Sequence, residues 1–431
     1  TRIMKSPIAL QQDLQNGAIN ARLQSLCGLD GTELEEKRQR LLHLIQAYSE
    51  KFGTDGEVSL FSSPGRTEMG GNHTDHQHGC VLAGPVNLDM MACAGANGTM
   101  TAVIHSAGYP AIEVDLSVLT PQEDELGSSA ALVRGIASRL HDMGYQIGGF
   151  NACVDSTVLG GSGLSSSAAY EVLIGIIMNH LFCEDAIDAV AIAQIGQYAE
   201  NKFFGKPCGL MDQLACAVGG IISIDFNDPA VPIVNKINYD LRSSGHVLCI
   251  IDSGADHADL TDEYAAVSSE MKAVAAYFGK QVLREVDEKE FWSNLAEVRK
   301  QAGDRAVLRA MHFFSDNQLA LKEARALEQD DFQYFLSLVD QSGRSSAMLL
   351  QNLFCTARPQ EQAVPLTIAL AQHLLGGEGA VRVHGGGFAG TIQAYVPVSM
   401  KDAFRAGMEA VLGEGCCHFL GIRLEGGVVI A

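Results

Sequence analysis

Residues 159–169 read LGGSGLSSSAA and run without a break into an apolar, helix-forming segment, residues 170–182. Glycines allow a backbone to approach an anion closely, and the free N–H groups at a helix N-terminus favour negative charge there. The stretch therefore predicts a phosphate-binding loop that leads into a helix. Small-residue turns also precede many helices that bind nothing, so a simple capped helix is the alternative interpretation.

Composition and charge indicate the class of protein. The chain has 431 residues, of which 47% are hydrophobic, and this length predicts two domains with sizeable cores. A formal net charge of −21 and the lack of any Lys/Arg run argue against a nucleic-acid partner or an anionic membrane surface. The 11 cysteines form no Cys-x-x-Cys pair, and no secretory signal is visible. We therefore expect a cytoplasmic protein with reduced thiols.

The order of predicted elements divides the chain into three parts. Residues 1–56 are predicted to be a helical extension without obvious chemistry, residues 57–243 a first domain, and residues 244–431 a second domain. Strands are predicted at residues 58–62, 81–82, 100–105, 112–116, 150–157, 245–252, 380–384, 391–396 and 421–430. Helices are predicted at residues 125–143 and over most of 261–375. Strands that alternate with helices indicate α/β or α+β layering.

Three glycine-rich polar segments carry the candidate chemistry. Besides the loop at 159–169, residues 63–79 read SPGRTEMGGNHTDHQHG and residues 381–391 read VRVHGGGFAGT. Each lies between apolar strands, as ligand-binding loops do. Two glycine loops and a loop with an arginine suit a nucleotide phosphate tail together with a hydroxyl-rich acceptor. The chain has no Gly-Lys-Ser/Thr sequence of the Walker type, which argues against a P-loop ATPase.

The histidines of the second segment allow a different interpretation. His73, His76 and His78 lie close in sequence to Asp75, and imidazole and carboxylate ligands at short spacing suit zinc. No second cluster of Cys or His lies nearby in the sequence.

Four motifs in order resemble those of one family. Pro64-Gly65-Arg66 followed by GxHTD at residues 71–75 is similar to the galactokinase sugar-binding signature. The stretch GSGLSSSA at residues 161–168 resembles the ATP loop of the GHMP small-molecule kinases, and GGGFAG at residues 385–390 resembles their third motif. A fourth block, AENKFFGKPCGLMDQ at residues 199–213, is close to the galactokinase form. The resemblance extends from about residue 58 to the last residue.

The resemblance implies a fold and a reaction. It implies an α+β, two-domain GHMP kinase fold with the active site in the cleft between the domains, and an ATP-dependent sugar 1-kinase. Asp212 matches the catalytic aspartate, which accepts or orients the proton of the anomeric hydroxyl. Arg66 matches the arginine that keeps this aspartate ionised and stabilises the transferring phosphoryl group. Ser167 and Glu200 match the ligands of Mg²⁺, a cation that prefers oxygen donors.

The same resemblance assigns the remaining site residues. The residues expected to bind the sugar are Asn72, His73, Asp75, Gly209 and Tyr264. The residues expected to bind ATP are Gly161, Ser162, Gly163, Leu164, Ser165, Ser166, Ser167, Gly386 and Gly387. From residue types alone, structural roles such as a capping aspartate, a surface ion-pair arginine, an N-cap serine and a core tyrosine are preferred. The expected partners are the sugar and ATP, and the expected assembly is a monomer or weak homodimer.

One departure from the family pattern bears on the acceptor sugar. The usual galactokinase loop has Glu at the position of Asn72 and Tyr at the position of His76. In the family that glutamate binds the hydroxyl on the sixth carbon of the sugar, and an amide there would tolerate a carboxylate that Glu would repel. The loop is also similar to that of plant galacturonokinases. Galactose is therefore the first expected acceptor and a uronic acid the second. A sugar sensor without turnover is the alternative from another class, although the serine loop is intact.

Overall fold

The computed structural model describes residues 4–27, 33–158, 160–256 and 259–431. Leu159, which opens the glycine-serine loop, lies outside the described residues. The α-helices are Pro7–Gln15 (α1), Asn20–Gln24 (α2), Glu33–Phe52 (α3), Ser129–Asp142 (α4), Ser166–Phe182 (α5), Ala189–Ala199 (α6), Met211–Val218 (α7), Thr261–Tyr277 (α8), Glu288–Ser293 (α9), Leu295–Ala302 (α10), Asp304–Glu328 (α11), Phe332–Ser345 (α12), Ala363–Leu375 (α13) and Lys401–Leu412 (α14).

The strands form two separate sheets. They are Ser59–Gly70 (β1), Cys80–Ala96 (β2), Thr101–Ser106 (β3), Ile112–Asp115 (β4), Phe150–Ser156 (β5), Ile221–Asp225 (β6), Ile233–Ile237 (β7), His246–Asp252 (β8), Ala380–Val383 (β9), Thr391–Pro397 (β10), Cys417–Leu420 (β11) and Val428–Val429 (β12). The larger sheet has the order β12-β1-β2-β5-β3-β4, with β6 on β2 and β7 on β6. The smaller sheet has the order β11-β8-β10-β9.

Strand β2 organises the larger sheet because it is long enough to pair at both ends. Its first half pairs with β6, in the register Cys80↔Asp225, and its second half pairs with β5, in the register Met90↔Ser156. Strand β1 runs antiparallel to β2 along most of its length, and β3 runs parallel to β5. The mixture of strand directions and packed helices confirms the expected α+β class.

Helices cover the two faces of the larger sheet. Helix α5 is apolar on nearly all sides and is buried against β1 and β2, as expected for a helix without a polar face. Helices α1 and α3 cover the opposite face, where Leu41 and Ile45 pack with Leu60 and Met91. Alternation along the strands directs neighbouring residues to the two faces. The predicted helical extension therefore packs as one layer of the larger sheet.

Three predicted segments differ from the structure. The strand predicted at residues 81–82 extends over the whole of β2, Cys80–Ala96. Residues 63–70 were expected to lie in a ligand-binding loop, but they form the second half of β1 and are buried. The polar side chains of this half form hydrogen bonds with groups that are distant in the sequence. For example, Ser63 Oγ donates to the carbonyl of Ala169 at 2.7 Å. The predicted strand at 421–430 is reduced to β12, which pairs with β1 of the larger sheet. The domain boundary at residue 243 stays a prediction.

Two further properties follow from the described residues. All eleven cysteines are free thiols, and most of them are buried. Over the described ranges, no helix has the length and apolar character needed to span a bilayer.

Candidate active site

A cavity of about 470 Å³ lies between the larger sheet and the glycine loop that follows β9. Its walls come from β1, the turn after β1, the loop before α5, the segment 200–213 and the loop at 385–386. The predicted site residues that line it are Arg66, His73, Asp75, Gly161, Ser162, Gly163, Ser165, Ser166, Ser167, Glu200, Gly209, Asp212 and Gly386. Those that do not line it are Asn72, Leu164, Tyr264 and Gly387. The fold thus brings together segments more than 300 residues apart in the sequence.

Asp212 and Arg66 form an ion pair on the cavity wall. Arg66 Nε donates to Asp212 Oδ1 at 2.6 Å, and Arg66 Nη1 donates to the carbonyl of Gly163 at 2.9 Å. The Asp212 side chain is 35% exposed and that of Arg66 is 10% exposed, so the carboxylate is the more accessible partner. Burial alone would raise the pKa of Asp212, but Arg66, the Ser165 hydroxyl and Lys206 together outweigh it, and the pKa lies below its ordinary value. Asp212 is therefore ionised at neutral pH.

Ser165 holds the second oxygen of the same carboxylate. Its hydroxyl donates to Asp212 Oδ2 at 2.6 Å. Ser165 is the N-cap residue of α5 and has a φ of 57°, in the left-handed region that few serines adopt. This backbone conformation turns the side chain toward Asp212 instead of toward the free N–H groups of the helix. The loop that was expected to bind phosphate thus also orients Asp212.

The loop before α5 approaches the cavity closely. Gly161 and Gly163 have φ values of 77° and 76°. A Cβ atom on Gly163 would lie 2.7 Å from Thr391 Oγ1, so the loop can take this path only with glycine at this position. Helix α5 starts at Ser166 and its first turn lines the cavity. Its N-terminal N–H groups and dipole make this wall suitable for an anion.

A second, apolar cavity adjoins the loop. It measures about 320 Å³ and shares Ser166 and Ser167 with the first cavity. Its apolar walls include Ile104, Leu132 and Tyr170. The two cavities together suit a ligand with a flat apolar end and an anionic end, as nucleotides have.

The side chains of Glu171, Glu200 and Ser167 carry the oxygen atoms of a candidate cation site beside the loop. Gln213 Nε2 donates to Glu200 Oε2 at 3.1 Å and to Glu171 Oε2 at 3.0 Å, so the two carboxyl groups lie close together. Glu171 Oε1 is buried without a hydrogen-bond partner among the described residues. Burial and then the neighbouring Glu200 raise the pKa of Glu171 to about 10. With the Ser167 hydroxyl on the same cavity wall, this set of hard oxygen donors fits Mg²⁺.

The turn after β1 forms the opposite wall. A ring nitrogen of His73, Nε2, lies 2.8 Å from the carbonyl oxygen of Gly386 and therefore donates to it. Burial and then the charge of His73 lower the pKa of His76 to about 3, so the His76 ring is neutral. A Cβ atom on Gly209 would lie 2.9 Å from Asp75 Oδ2, so a larger residue at this position would displace the carboxylate. Within the described residues, no group of three or more His, Cys, Asp or Glu side chains is placed to hold a metal ion. The zinc interpretation therefore has no ligand cluster in the structure.

Asn72, which is expected to bind the sugar, is not among the residues that line the cavity. Its side chain is completely buried and every hydrogen-bonding site of the amide is used. Nδ2 donates to Glu68 Oε1 at 3.0 Å and to the Gly385 carbonyl at 2.6 Å. Oδ1 accepts from Asn352 Nδ2 at 2.9 Å and from Ser346 Oγ at 3.2 Å. Asn72 thus connects β1 to the glycine loop after β9.

The other predicted residues outside the cavity lining support its walls. The hydroxyl of Tyr264 donates to the carbonyl of Gly387 at 2.8 Å. The Tyr264 ring lies edge-on to Phe388, with 5.3 Å between ring centroids. Leu164 is buried, and its carbonyl accepts a hydrogen bond from the Arg66 N–H at 3.0 Å. These three contacts fix the two glycine loops, and the expected contacts of Tyr264 with the sugar and of Leu164 with ATP stay predictions.

Sequence reasoning missed two charged residues that line the cavity, Glu68 and Lys206. Glu68 follows Arg66 by two residues on β1, and side chains at this spacing share one face of a strand. That signal was hidden because residues 63–79 were interpreted as a loop. Lys206 is exposed and contributes to the low pKa of Asp212. No local sequence pattern distinguishes it from other surface lysines.

Comparison with protein families identifies two matching models. The GHMP kinases N terminal domain matches residues 131–220, and the galactokinase galactose-binding signature matches residues 46–96. The galactokinase of Mannheimia succiniciproducens is 30% identical over 368 residues, which cover 83% of this chain and 90% of that protein. The galactokinase of Actinobacillus pleuropneumoniae serotype 5b is 31% identical over 365 residues, covering 84% of this chain and 90% of that protein.

Solved structures share the same arrangement of helices and strands. The crystal structure of Lactococcus lactis galactokinase complexed with galactose superposes with a TM-score of 0.76 at 25% identity, covering 90% of this chain and 99% of that one. A crystal structure of mevalonate kinase superposes with a TM-score of 0.60 at 12% identity, covering 85% of this chain and 99% of that one. The second similarity concerns the fold alone.

Proposed function

This chain belongs to the galactokinase family, and we propose that it transfers the γ-phosphoryl group of ATP to the anomeric hydroxyl of galactose. One observation carries the proposal. Both oxygens of the Asp212 carboxylate are held, by Arg66 and by Ser165, on the wall of a cavity that also contains the glycine-serine loop. A fixed, ionised carboxylate beside an anion-binding loop is what transfer of a phosphoryl group to a hydroxyl requires.

In the proposed reaction, Asp212 accepts or orients the proton of the anomeric hydroxyl as that oxygen attacks the γ-phosphate. The low pKa of Asp212 keeps it ready to accept a hydrogen bond before attack. Arg66 supports this state through its ion pair, and its guanidinium stabilises the negative charge that develops on the transferring group. Loss of either side chain therefore removes stabilisation of the transition state.

The two adjoining cavities support the placement of ATP. We infer that the adenine ring occupies the apolar cavity near Ile104 and Leu132, while the phosphates lie along residues 161–167. The N-terminus of α5 then faces the phosphate charge. Lys206, which also lines the cavity, adds a positive charge. Ser167 and Glu200 would hold Mg²⁺, which would supply positive charge beside the phosphates.

Galactose is favoured over galacturonate as the acceptor. The uronic-acid alternative depended on Asn72 replacing a glutamate that touches the sugar, but Asn72 is buried behind the wall. The wall itself carries a carboxylate from Glu68. An acidic sugar would therefore meet negative charge from Glu68, Asp75 and Asp212 within one cavity. The alternative function is a sugar sensor that binds sugar and ATP without turnover. An assay of activity distinguishes it from a kinase.

A coupled assay of ADP release tests the proposed function. The purified protein is assayed with Mg²⁺ and ATP against galactose, galacturonate, glucose and N-acetylgalactosamine. We expect the highest kcat/KM with galactose. Higher kcat/KM with galacturonate would identify a uronic-acid kinase, and binding of galactose without turnover would identify a sensor; either result contradicts the proposal.

The proposed cation site predicts a requirement for Mg²⁺ or Mn²⁺. EDTA is expected to abolish activity, whereas a zinc-selective chelator is expected to have no effect. The variant Glu200→Gln is expected to raise the Mg²⁺ concentration at half-maximal rate by about tenfold or more, because it removes a charged oxygen ligand. Titrations of Mg²⁺ at fixed ATP measure this, with the exposed Glu297→Gln as the matched control. Stoichiometric zinc bound through His73 or His76 would contradict the assignment.

The buried position of Asn72 predicts that a change to glutamate damages the fold locally. In Asn72→Glu the new carboxylate faces Glu68 and the Gly385 carbonyl. The carbonyl loses its donor, and Glu68 loses one of its two donors and gains a like-charged neighbour. We expect the free energy of unfolding to fall by about 2 kcal/mol or more. Activity is expected to fall with galactose and galacturonate alike. Thermal unfolding and kcat/KM for both sugars measure these effects. An unchanged melting temperature with improved kcat/KM for galactose would mean that position 72 contacts the sugar after all.

A further inference from the structure

Glu68 occupies a position on the cavity wall that the proposed reaction does not use. It lies in a short regular run of β1 between two register shifts, where Arg66 pairs with Pro85 and Glu68 pairs with Ala83 across the sheet. Because side chains at i and i+2 share a face, Glu68 and Arg66 point to the same side of β1. Both line the cavity. The strand thus presents a second charged group, two residues after the arginine of the catalytic pair.

Only one oxygen of Glu68 is occupied by the protein. Oε1 accepts hydrogen bonds from Arg382 and from Asn72 Nδ2. No hydrogen bond joins Oε2 to any residue in the described ranges, although the Glu68 side chain is only 4% exposed. An ionised carboxylate has acceptor sites on both oxygens. Oε2 is therefore an acceptor without a partner among the described residues, on a side chain that lines the cavity.

The groups around Glu68 fix its orientation and charge. Burial raises the pKa of Glu68 above its ordinary value, and the guanidinium of Arg382 and the amide of Asn72 oppose this rise. Arg382 is itself almost completely buried on β9. Asn72 Nδ2 donates both to Glu68 and to the Gly385 carbonyl. Asn72 therefore links the carboxylate to the glycine loop that follows β9. A buried side chain held in this way is preorganised for binding.

We propose that Glu68 is a specificity-determining residue of the sugar site: its Oε2 accepts a hydrogen bond from a hydroxyl of the acceptor and disfavours an acidic group at that position. This inference rests on the proposed function. The chemistry that Glu68 would recognise is a neutral sugar hydroxyl, since a carboxylate in the same place would meet like charge in a partly dry cavity. The chain would thus carry on β1 the acidic group that its loop lacks at Asn72.

The variant Glu68→Gln tests the inference with a matched control. Glutamine keeps the size of the side chain and removes its charge. The control is Glu323→Gln, because Glu323 is also buried near Arg382 but does not line the cavity. Both variants lose one carboxyl group beside the same arginine. Melting temperatures of the two variants report on the fold, and the KM for sugar is compared with the KM for ATP.

We expect Glu68→Gln to raise the KM for galactose by about 10-fold or more, with the KM for ATP unchanged, because a hydrogen bond to a charged acceptor is replaced by a weaker one. The ratio of kcat/KM for galacturonate to that for galactose is expected to rise. In Glu323→Gln both quantities are expected to stay near those of the wild type. If Glu68→Gln does not fold, Glu68→Asp keeps the charge and withdraws the carboxylate, and the same rise in the KM for galactose is expected.

Two results separate this inference from the proposed function. If the wild type turns over galactose and a folded Glu68→Gln keeps the wild-type KM and sugar preference, Glu68 does not bind the acceptor. Equal changes in Glu68→Gln and Glu323→Gln would likewise overturn the inference, since they would reflect a disturbed Arg382 alone. If the wild type turns over none of the sugars, the proposed function fails first.

Discussion

Replacing Asp212 by asparagine is expected to lower kcat by at least about 10²-fold while ATP still binds. Asparagine fills the same space but cannot accept the proton of the attacking hydroxyl. Arg66→Ala is expected to have an effect of similar size, because it removes the charge that holds Asp212 ionised and that stabilises the transferring phosphoryl group. Single-turnover rates with galactose, together with equilibrium binding of a non-hydrolysable ATP analogue, separate loss of chemistry from loss of binding.

An exposed pair elsewhere in the chain provides the control for this prediction. Asp240 pairs with Arg242 at 2.8 Å, and both side chains are about half exposed. Asp240→Asn makes the same chemical change in an ordinary surface ion pair, and we expect wild-type kcat. Near-normal turnover in both Asp212→Asn and Arg66→Ala would remove the catalytic assignment.

Replacing Asp89 by asparagine is expected to cause the largest loss of stability. Asp89 is fully buried in β2 and is surrounded by cations: Oδ1 accepts from Arg40 at 2.6 Å, and Oδ2 accepts from Lys37 and from Arg423, each at 3.2 Å. These contacts join α3, the larger sheet and the segment before β12. Removing this anion leaves Lys37 and Arg423 without their ion-pair partner, while Arg40 keeps Asp155 at 2.8 Å. The free energy of unfolding is expected to fall by about 3–5 kcal/mol.

The same carboxylate predicts how stability depends on pH. Burial would raise the pKa of Asp89, but Lys37, Arg40 and Arg423 together lower it far below its ordinary value. A group with a lowered pKa in the folded state contributes stability above its unfolded pKa of about 3.9 and loses it as the pH falls further. The difference in stability between wild type and Asp89→Asn is therefore expected to shrink below about pH 4.

Urea unfolding followed at several pH values measures both effects on Asp89. Asp304→Asn is the matched control, because Asp304 and its partner Arg299 are mostly exposed. This control is expected to change the free energy of unfolding little at any pH. A stable Asp89→Asn at neutral pH would mean that the three cations find other partners.

The sequence predicts those parts of the site that depend on local chemistry. The loop at residues 161–167 and Asp212 were found because glycine, serine and a short family motif determine the backbone there. The strand β1 was only half recognised, because its polar residues at 63–70 do not alternate with apolar ones. Their partners, such as the Ala169 carbonyl for Ser63, lie about a hundred residues away. A pattern search within one segment cannot find such partners.

Asn72 shows the same limit for a single residue. Its type and motif position suggested contact with the sugar, but its orientation is decided by Ser346, Asn352 and the Gly385 carbonyl. These partners are 274, 280 and 313 residues away in the chain. Glu68 was overlooked for the complementary reason, since only the pairing of β1 and the position of Arg382 place it on the cavity wall.

The measurement that tests the central claim most directly is ³¹P NMR of the reaction mixture, with wild type and Asp212→Asn compared at equal protein, Mg²⁺, ATP and galactose concentrations. The wild type is expected to convert the γ-phosphate signal of ATP into that of a sugar phosphate coupled to the anomeric proton. Asp212→Asn is expected to form the same product at least about 10²-fold more slowly. Release of inorganic phosphate alone, a phosphate on another carbon, or equal rates in the two proteins would contradict the account.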